Sequence, residues 1–340
     1  MDTIPNTPQR DPVLFNDWLP VAIADRVEAG AVQALQLLDQ AVALWRDQAG
    51  QLHAWEDRCP HRGTPLSIGR VEGDGLRCAY HGWRFGSAGK CQHIPALPEL
   101  GEANLKAQVA TYAVQERYGL VWVCLGAAGG APPPLPEYAD PALRKVFCGP
   151  YDVASSAPRI VENFLDMAHF AFVHEGILGE QQRAAIADYT VEKFDDAEYG
   201  RGVRAVRCRA WQPQASKAAS GGAEIDYTYR VPRPLTAVLT KQSAGGVREA
   251  ISLHLQPLTE TSTRVWIILA LDDFISSEAA LRQFQDTIFL QDQPILESQR
   301  PQRLPLIPGA EVSVVCDRMS LAYRAYLKES GLRYGVLRAD

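Results

Sequence analysis

Four potential metal ligands in one short stretch constrain the fold of this 340-residue chain more than any other sequence feature. They follow the pattern Cys-x-His, sixteen residues, Cys-x-x-His, and they are Cys59, His61, Cys78 and His81. Pro60, Gly63 and Gly82 lie among them. Because glycine and proline favour tight turns, we expect this stretch to form loops around a metal rather than long strands or helices.

Two thiolates and two imidazoles can bind either zinc or an iron–sulfur cluster. Zinc fingers usually pair cysteine with cysteine and histidine with histidine along the chain, whereas each half of this motif contributes one of each. That arrangement suits a cluster in which two cysteines hold one iron and two histidines hold the other. The pattern therefore predicts a Rieske-type [2Fe–2S] cluster, and a zinc-stabilised binding module is the alternative.

A second group of potential ligands lies in a segment predicted to be helical, Pro158–Ile177. It contains His169 and His174 with carboxylates nearby, a combination typical of a mononuclear Fe(II) site with two histidines and one carboxylate. Residues five apart on a regular α-helix point about 140° away from each other. We therefore predict a π-bulge or a break between the two histidines.

The third ligand of that site has to come from elsewhere in the chain. The predicted helix Ser276–Gln299 offers three carboxylates, Asp286, Asp292 and Glu297. Asp292 precedes Pro294, whose missing N–H and ring disrupt a helix one turn back and can re-aim a side chain. Spacing alone leaves the choice among the three open.

Composition excludes several classes of function. The formal net charge of −6 gives no sign of binding to nucleic acid or to an anionic membrane. The longest apolar run, Val265–Leu271, is too short to span a bilayer. The seven cysteines are odd in number and scattered, and no secretory signal is evident, which argues against a disulfide framework. We therefore expect a cytoplasmic protein without membrane or nucleic-acid partners.

Strand-like patterns dominate the first part of the chain, and helix-like patterns appear only later. Ala110–Leu125 is predicted to form a hairpin, and Gly126–Pro136, rich in Gly, Ala and Pro, is the best candidate for a linker. The later strand-like stretches are Val203–Trp211, Glu224–Val231, Ala250–Leu255 and Arg264–Leu271, and a last helix is predicted at Ser320–Ser330. This order predicts an α+β fold with two domains, residues 1–130 and 131–340.

Several segments together resemble the α subunits of Rieske-type ring-hydroxylating oxygenases. Cys-Pro-His-Arg-Gly with Cys-Ala-Tyr-His-Gly-Trp is similar to their cluster-binding motif, and Glu162-Asn163-x-x-Asp166-x-x-His169-x4-His174 is similar to their catalytic iron motif. Further similarity lies at residues 116–122 and 291–299, and weaker similarity at 317–324. The length resembles the α-only branch, which includes dicamba and vanillate O-demethylases, methylxanthine N-demethylases and saxitoxin-pathway hydroxylases.

This resemblance implies an N-terminal all-β Rieske domain followed by a catalytic domain with a curved antiparallel sheet flanked by helices. It also implies a head-to-tail homotrimer and makes Asp292 the third iron ligand. Asp166 would bridge His81 of a neighbouring subunit to His169. Asn163 would lie near the iron without binding it.

The implied function is the oxygenase component of a monooxygenase, which uses O2 and receives electrons from NAD(P)H through a reductase or ferredoxin. We expect it to hydroxylate or oxidatively demethylate a small cyclic or aromatic substrate. Two alternatives remain: a cis-dihydroxylating dioxygenase, and an electron carrier that needs only about the first third of the chain. Six basic residues between Arg58 and Lys90, against Glu72 and Asp74, form a candidate docking surface for an acidic electron donor.

Overall fold

The computed structural model describes residues 11–101, 106–219, 221–243 and 248–339. They divide into two compact units, with the division between Pro132 and Pro133, inside the predicted linker. Within the described residues, none of the helices combines the length and hydropathy that crossing a bilayer requires.

Short strands make up most of the first unit. Its elements are α1 (Pro12–Phe15), β1 (Leu19–Ile23), β2 (Val32–Leu37), β3 (Gln40–Arg46), β4 (Leu52–Glu56), β5 (Arg70–Glu72), β6 (Gly75–Arg77), β7 (Arg84–Phe85), β8 (Cys91–His93), β9 (Thr111–Arg117) and β10 (Leu120–Cys124). Six strands form one sheet in the order β1-β10-β9-β4-β3-β2, and four form another in the order β5-β6-β7-β8. Neighbouring strands are antiparallel in both sheets.

The predicted hairpin is present as β9 and β10. Its two-residue turn consists of Tyr118 and Gly119, both with positive φ (55° and 69°), as a tight turn between twisted strands requires. A second such turn, Leu38-Asp39, separates β2 from β3. Asp39 tolerates a positive φ but Leu38 is not a typical turn residue, so the turn left little trace in the sequence pattern.

The core of the first unit lies directly beneath the ligand-bearing loops. Trp45 and Trp55 are fully buried and pack edge to face with ring centroids 5.0 Å apart. Cys59 and Cys78 belong to the same buried cluster as these two rings. The cysteine ends of the loops are therefore anchored in apolar surroundings. Burial of each tryptophan stabilises this core by about 2–3 kcal/mol.

A single large sheet forms the centre of the second unit. Its elements are α2 (Pro136–Ala139), β11 (Arg144–Val153), α3 (Ala157–Leu165), α4 (Phe170–Val173), β12 (Thr190–Asp196), β13 (Gly200–Gln212), β14 (Ala223–Arg233), β15 (Thr236–Ser243), β16 (Arg248–Thr259), β17 (Ser262–Leu271), α5 (Glu278–Ser298), β18 (Leu304–Pro305), α6 (Arg318–Ser330) and β19 (Val336–Leu337). Seven antiparallel strands follow the order β11-β17-β16-β15-β14-β13-β12, and β18 pairs with β19 in parallel.

All four predicted strands of this sheet are present, and the predicted helices near residues 276–299 and 320–330 correspond to α5 and α6. Three strands were not predicted. One of them, β11, contains Gly149 and Pro150, two residues that normally interrupt a strand. The register against β17 shifts between Cys148 and Tyr151, so β11 accommodates both in a bulge.

The prediction of one helix over Pro158–Ile177 was wrong. α3 ends at Leu165, and Asp166 has an extended backbone (φ −85°, ψ 133°). The predicted distortion between the histidines is also misplaced, because the four residues between them form the regular turn α4. His169 precedes that turn and His174 ends it with a non-helical conformation (φ −113°, ψ 33°). Leaving the helix at both ends frees the two side chains from the 140° separation that a regular helix imposes.

Candidate metal centres

The cluster motif forms two loops with the same hydrogen-bonding scheme. The amide of Cys59 donates to the carbonyl five residues later at 2.8 Å, and that of Cys78 does the same at 2.9 Å. Gly63 and Gly82 donate back to the carbonyls of these cysteines at 2.9 and 3.1 Å. Both glycines have a positive φ (75° and 70°), which side chains disfavour. Each loop therefore closes on itself with its cysteine at the base.

The four donors of these loops differ in exposure. The two cysteines are buried, and burial raises the pKa of the Cys59 thiol to about 11, so a metal would have to displace its proton. His61 is half-buried, His81 is exposed, and their ring centroids are 4.5 Å apart. His61 Nδ1 is buried without a hydrogen-bond partner among the described residues. A metal bond would satisfy this orphaned nitrogen.

The spacing of the donors fits a two-iron cluster better than one zinc ion. Zinc needs its four donors around a single centre. In the part of the chain that the structure describes, no three of these four residues have ligand atoms all within 4.8 Å of one another. Such a spread suits a cluster whose irons each take two protein ligands. Trp83 stacks on the His61 ring at 4.4 Å and 7°, and this contact holds the imidazole in place.

Three ligand atoms converge in the second unit. Asp292 Oδ1 lies 3.2 Å from His174 Nε2 and 3.4 Å from His169 Nε2. The three side chains are 13, 1 and 14% exposed, respectively. All three ligand atoms lie within 4.8 Å of one another. Two imidazoles and one carboxylate in this arrangement are the donor set of non-haem Fe(II) sites that activate O2.

Neighbouring polar side chains orient this triad. His169 Nδ1 lies 3.1 Å from Asp166 Oδ2, and His174 Nδ1 lies 2.8 Å from Gln291 Oε1. With the Nδ1 atoms engaged, both Nε2 atoms face Asp292. Asn163 Nδ2 donates to Asp292 Oδ1 at 3.4 Å, so the predicted residues Asn163 and Asp166 both lie at the triad. Gln291 was missed, because a glutamine beside a ligand carries no recognisable spacing signal.

The two other candidate carboxylates on α5 have different partners. Asp286 accepts a hydrogen bond from the Tyr151 hydroxyl at 2.5 Å. Glu297 accepts from the Ala154 amide at 3.1 Å and from the Gln293 amide group at 2.9 Å. Of the three carboxylates, Asp292 is the one that joins the histidines in the three-donor set.

Comparison with known proteins decides the family. The Rieske [2Fe–2S] domain family matches residues 17–113, and the vanillate O-demethylase oxygenase C-terminal domain family matches residues 153–332. Methylxanthine N1-demethylase of Pseudomonas putida is 32% identical over 92% of this chain and 88% of its own length. The chain belongs to the Rieske oxygenases. It is an oxygenase α subunit with the α+β fold that its sequence predicted.

Other relatives of this Rieske oxygenase are similar along much of the chain. Probable methylxanthine N7-demethylase of Pseudomonas sp. (strain TJI-51) is 39% identical over 69% of the chain and 83% of its own length. The structure of NdmA from Pseudomonas putida CBB5 with caffeine covers 93% of the chain and 91% of its own, with a TM-score of 0.81 and 29% identity. The oxidoreductase NdmD of Pseudomonas putida is 42% identical over 34% of the chain and 20% of its own length. The predicted use of O2 and of a reductase as electron donor is thereby confirmed.

The triad of this Rieske oxygenase lines a largely apolar pocket in the second unit. Strands β14 to β17 supply one wall, and α3 and α5 supply residues opposite them. Apolar lining residues include Phe164, Phe170, Leu239, Ile251, Leu269 and Phe289. An apolar enclosure keeps bulk water away from the oxidising centre and holds an organic substrate.

A buried ion-pair network fixes α3, the helix that precedes the iron ligands. Arg324 of α6 binds both carboxylate oxygens of Glu162, at 2.5 and 2.8 Å. Glu311 joins Arg324 to Arg159, with its oxygens 2.5 Å and 2.6 Å from the two guanidinium groups. Burial outweighs these contacts and raises the pKa of Glu162. The network ties α3 to α6 and thereby sets the position of Asn163, one residue further on.

Proposed function

We propose that this chain oxidatively demethylates or hydroxylates a small cyclic organic molecule at the site formed by His169, His174 and Asp292. The observation that carries this proposal is the convergence of these three donors at the wall of an apolar pocket. A carrier of electrons alone would need neither the triad nor the pocket. We favour monooxygenation over cis-dihydroxylation because the similar N-demethylases match most of the chain.

We assign the [2Fe–2S] cluster to Cys59, His61, Cys78 and His81 in a Rieske domain of residues 1–130. The catalytic domain is assigned to residues 131–340. The buried thiols and the orphaned Nδ1 of His61 support the first assignment. The exposed ring of His81 supports the entry of electrons on that side of the cluster.

We assign mononuclear Fe(II) to His169, His174 and Asp292. Iron bound there supplies the activation of O2 and the oxidation of the substrate C–H bond. The protein residues do the rest: Asp166 and Gln291 orient the imidazoles, and Asp292 contributes a negative charge. Asn163 holds the Asp292 carboxylate by its amide. The apolar walls exclude water and place the reacting carbon of the substrate.

Asp166 has a second proposed role in a head-to-tail homotrimer. Its side chain is 34% exposed although one oxygen contacts His169. We propose that this exposed part of the carboxylate binds His81 of a neighbouring copy. Burial opposes ionisation of Asp166, but His169 and two backbone amides outweigh it and lower its pKa. The carboxylate is thus ionised at neutral pH and can accept a hydrogen bond from each imidazole.

A cytoplasmic location stays a prediction.

Metal analysis and turnover test the proposal together. The purified chain should hold about three irons and about two acid-labile sulfides, with a Rieske signal in the reduced state. With a reductase, NADH and O2, demethylation of an N- or O-methyl substrate should release formaldehyde in step with substrate loss. About two irons, even after reconstitution with Fe(II), would contradict the triad assignment. Zinc without sulfide would contradict the cluster, and consumption of O2 without substrate oxidation would contradict the reaction.

A further inference from the structure

One row of polar side chains crosses the sheet wall of the pocket. Tyr227 on β14 is directly opposite Lys241 on β15, and Lys241 is directly opposite Glu249 on β16. Gln212, at the end of β13, lines the same pocket. The next row of side chains along these strands also faces the pocket. It consists of Tyr229, Leu239, Ile251 and Leu269. Since alternate residues on a strand are about 7 Å apart, the polar row is a narrow band beside an apolar surface.

The charges in this polar row cancel. Lys241 Nζ and Glu249 Oε2 are 2.6 Å apart, and their side chains are 10% and 6% exposed. Lys241 also donates to the Ala215 carbonyl. Lys217 is the other lysine among the described lining residues, and its side chain is exposed to solvent. A buried carboxylate ligand would therefore meet no unpaired cation, and it would have to displace Glu249 from Lys241.

The polar row and its neighbour also hold buried atoms without partners. Gln212 Oε1 and the Tyr229 hydroxyl have no hydrogen-bond partner among the described residues, and the Tyr227 hydroxyl contacts the neighbouring Gln212 side chain. Gln212 is 1% exposed and Tyr227 3%. Burial raises the pKa of Tyr227 well above 10, and the nearby Glu249 adds to the rise, so this phenol stays protonated. Unpaired buried groups of this kind are costly unless a ligand satisfies them.

These groups are within reach of a ligand that also touches the iron site. The Phe170 ring lies 6.4 Å from the Tyr227 ring and 6.1 Å from the His174 ring, between centroids. Because Tyr227, Phe170 and His174 all line this pocket, a flat molecule bound in it lies beside both the polar row and the triad. Tyr227 and Tyr229 lie 5.9 Å apart and nearly parallel, which adds an aromatic surface for a planar ligand.

We propose that Gln212 and Tyr227 determine substrate specificity and select a neutral heterocycle with a carbonyl and a ring N–H along one edge. The inference rests on the proposed function and names its substrate class. The Gln212 oxygen accepts the ring N–H, and the Tyr227 hydroxyl donates to the carbonyl. The closed Lys241–Glu249 pair excludes carboxylate substrates of similar size.

Equilibrium binding to the full-length, cluster-loaded protein tests this without turnover. Calorimetric titrations would use two neutral heterocycles, theobromine and caffeine, and two anions, vanillate and 3-chlorobenzoate. Theobromine has a ring N–H where caffeine has an N-methyl group. We expect theobromine to bind about three- to tenfold more tightly than caffeine, and both to bind at least tenfold more tightly than either anion. Binding of neither neutral compound, or equal binding of an anion, would overturn the proposal.

Three substitutions assign the effect to the named groups. Gln212→Leu should weaken the binding of theobromine about three- to tenfold, because one hydrogen bond is lost. The binding of caffeine should weaken less. Tyr227→Phe should weaken both compounds about three- to tenfold. Glu249→Gln should improve binding of the two anions at least tenfold, because it leaves the Lys241 charge unpaired. The matched control is Gln242→Leu, an exposed neighbour on the opposite face of β15, which should bind like the parent protein.

Circular dichroism and the melting temperature would confirm that each variant is folded. If folded Gln212→Leu and Tyr227→Phe both bind within twofold of the parent, the specificity assignment is wrong. Failure of Glu249→Gln to improve anion binding would refute the charge argument on which the proposal depends. If the binding pattern is as expected but no compound is oxidised, the specificity assignment stands and the proposed reaction fails. The two failures are thus distinguishable.

Discussion

The two candidate metal sites of this protein are built in opposite ways. The four cluster donors lie between Cys59 and His81, on two loops that close through their own backbone hydrogen bonds. The triad joins α5 to a segment more than a hundred residues earlier, as the Asn163–Asp292 and His174–Gln291 contacts show. The imidazole of His81 is exposed, whereas His174 is 1% exposed.

The difference in exposure follows from what each site has to admit or exclude. Electrons have to enter the cluster from another protein, so one edge has to remain near the surface. A C–H-oxidising centre has to exclude water, so its ligands are buried and have to come from several packed elements. A local site depends on its loops, while a distributed site depends on the whole domain. The following predictions test that contrast.

The largest effect is expected from removing one ligand at each site. Asp292→Ala should lose the mononuclear iron and reduce turnover to background, because two imidazoles alone hold Fe(II) weakly. The Rieske spectrum should be unchanged. Cys59→Ala should lose the Rieske spectrum but keep the mononuclear iron in a folded second unit. Metal content per chain and reduced-state EPR would show this. If Asp292→Ala also erased the Rieske signal, the two sites would not be independent.

A smaller but still large loss is expected for Asp166→Asn. Both metal contents should persist, while turnover falls roughly 100-fold, because the amide is a neutral partner for His169 and for His81 of a neighbouring copy. Single-turnover reduction of the iron site by a pre-reduced cluster would locate the lesion. Asp195→Asn, an exposed aspartate in the same unit, is the control. Normal turnover with an intact cluster would show that Asp166 does not link the sites.

The smallest effect is expected for Gln291→Ala. His174 would lose the partner of its Nδ1, and affinity for Fe(II) should fall about 10-fold or somewhat more, as for other groups that orient metal ligands. Titration of the iron-depleted protein with Fe(II) would measure it. Gln283→Ala, at an exposed position on the same helix, should have no effect. Equal affinities in the two variants would mean that Gln291 does not position His174.

Local signals accounted for much of the first unit. The Tyr118-Gly119 hairpin and the loops at Gly63 and Gly82 depend on backbone conformations that nearby residues set. The same reasoning failed where packing overrides propensity. Gly149 and Pro150 indicate a loop, yet pairing with β17 holds them in a bulged strand. One helix was predicted over Pro158–Ile177, but the chain leaves the helix at Asp166.

Read alone, the amino-acid sequence specified the ligand types, the spacing of the cluster motif and the α+β class, because these depend on residues close together in the chain. It left the choice among Asp286, Asp292 and Glu297 open until resemblance favoured Asp292. Only the tertiary structure brought Asp292 to the two histidines, placed Gln291 behind His174 and brought Gln212 and Tyr227 to the same pocket. The physical reason is that such contacts join segments far apart in the chain, and packing of the whole unit decides which of them meet.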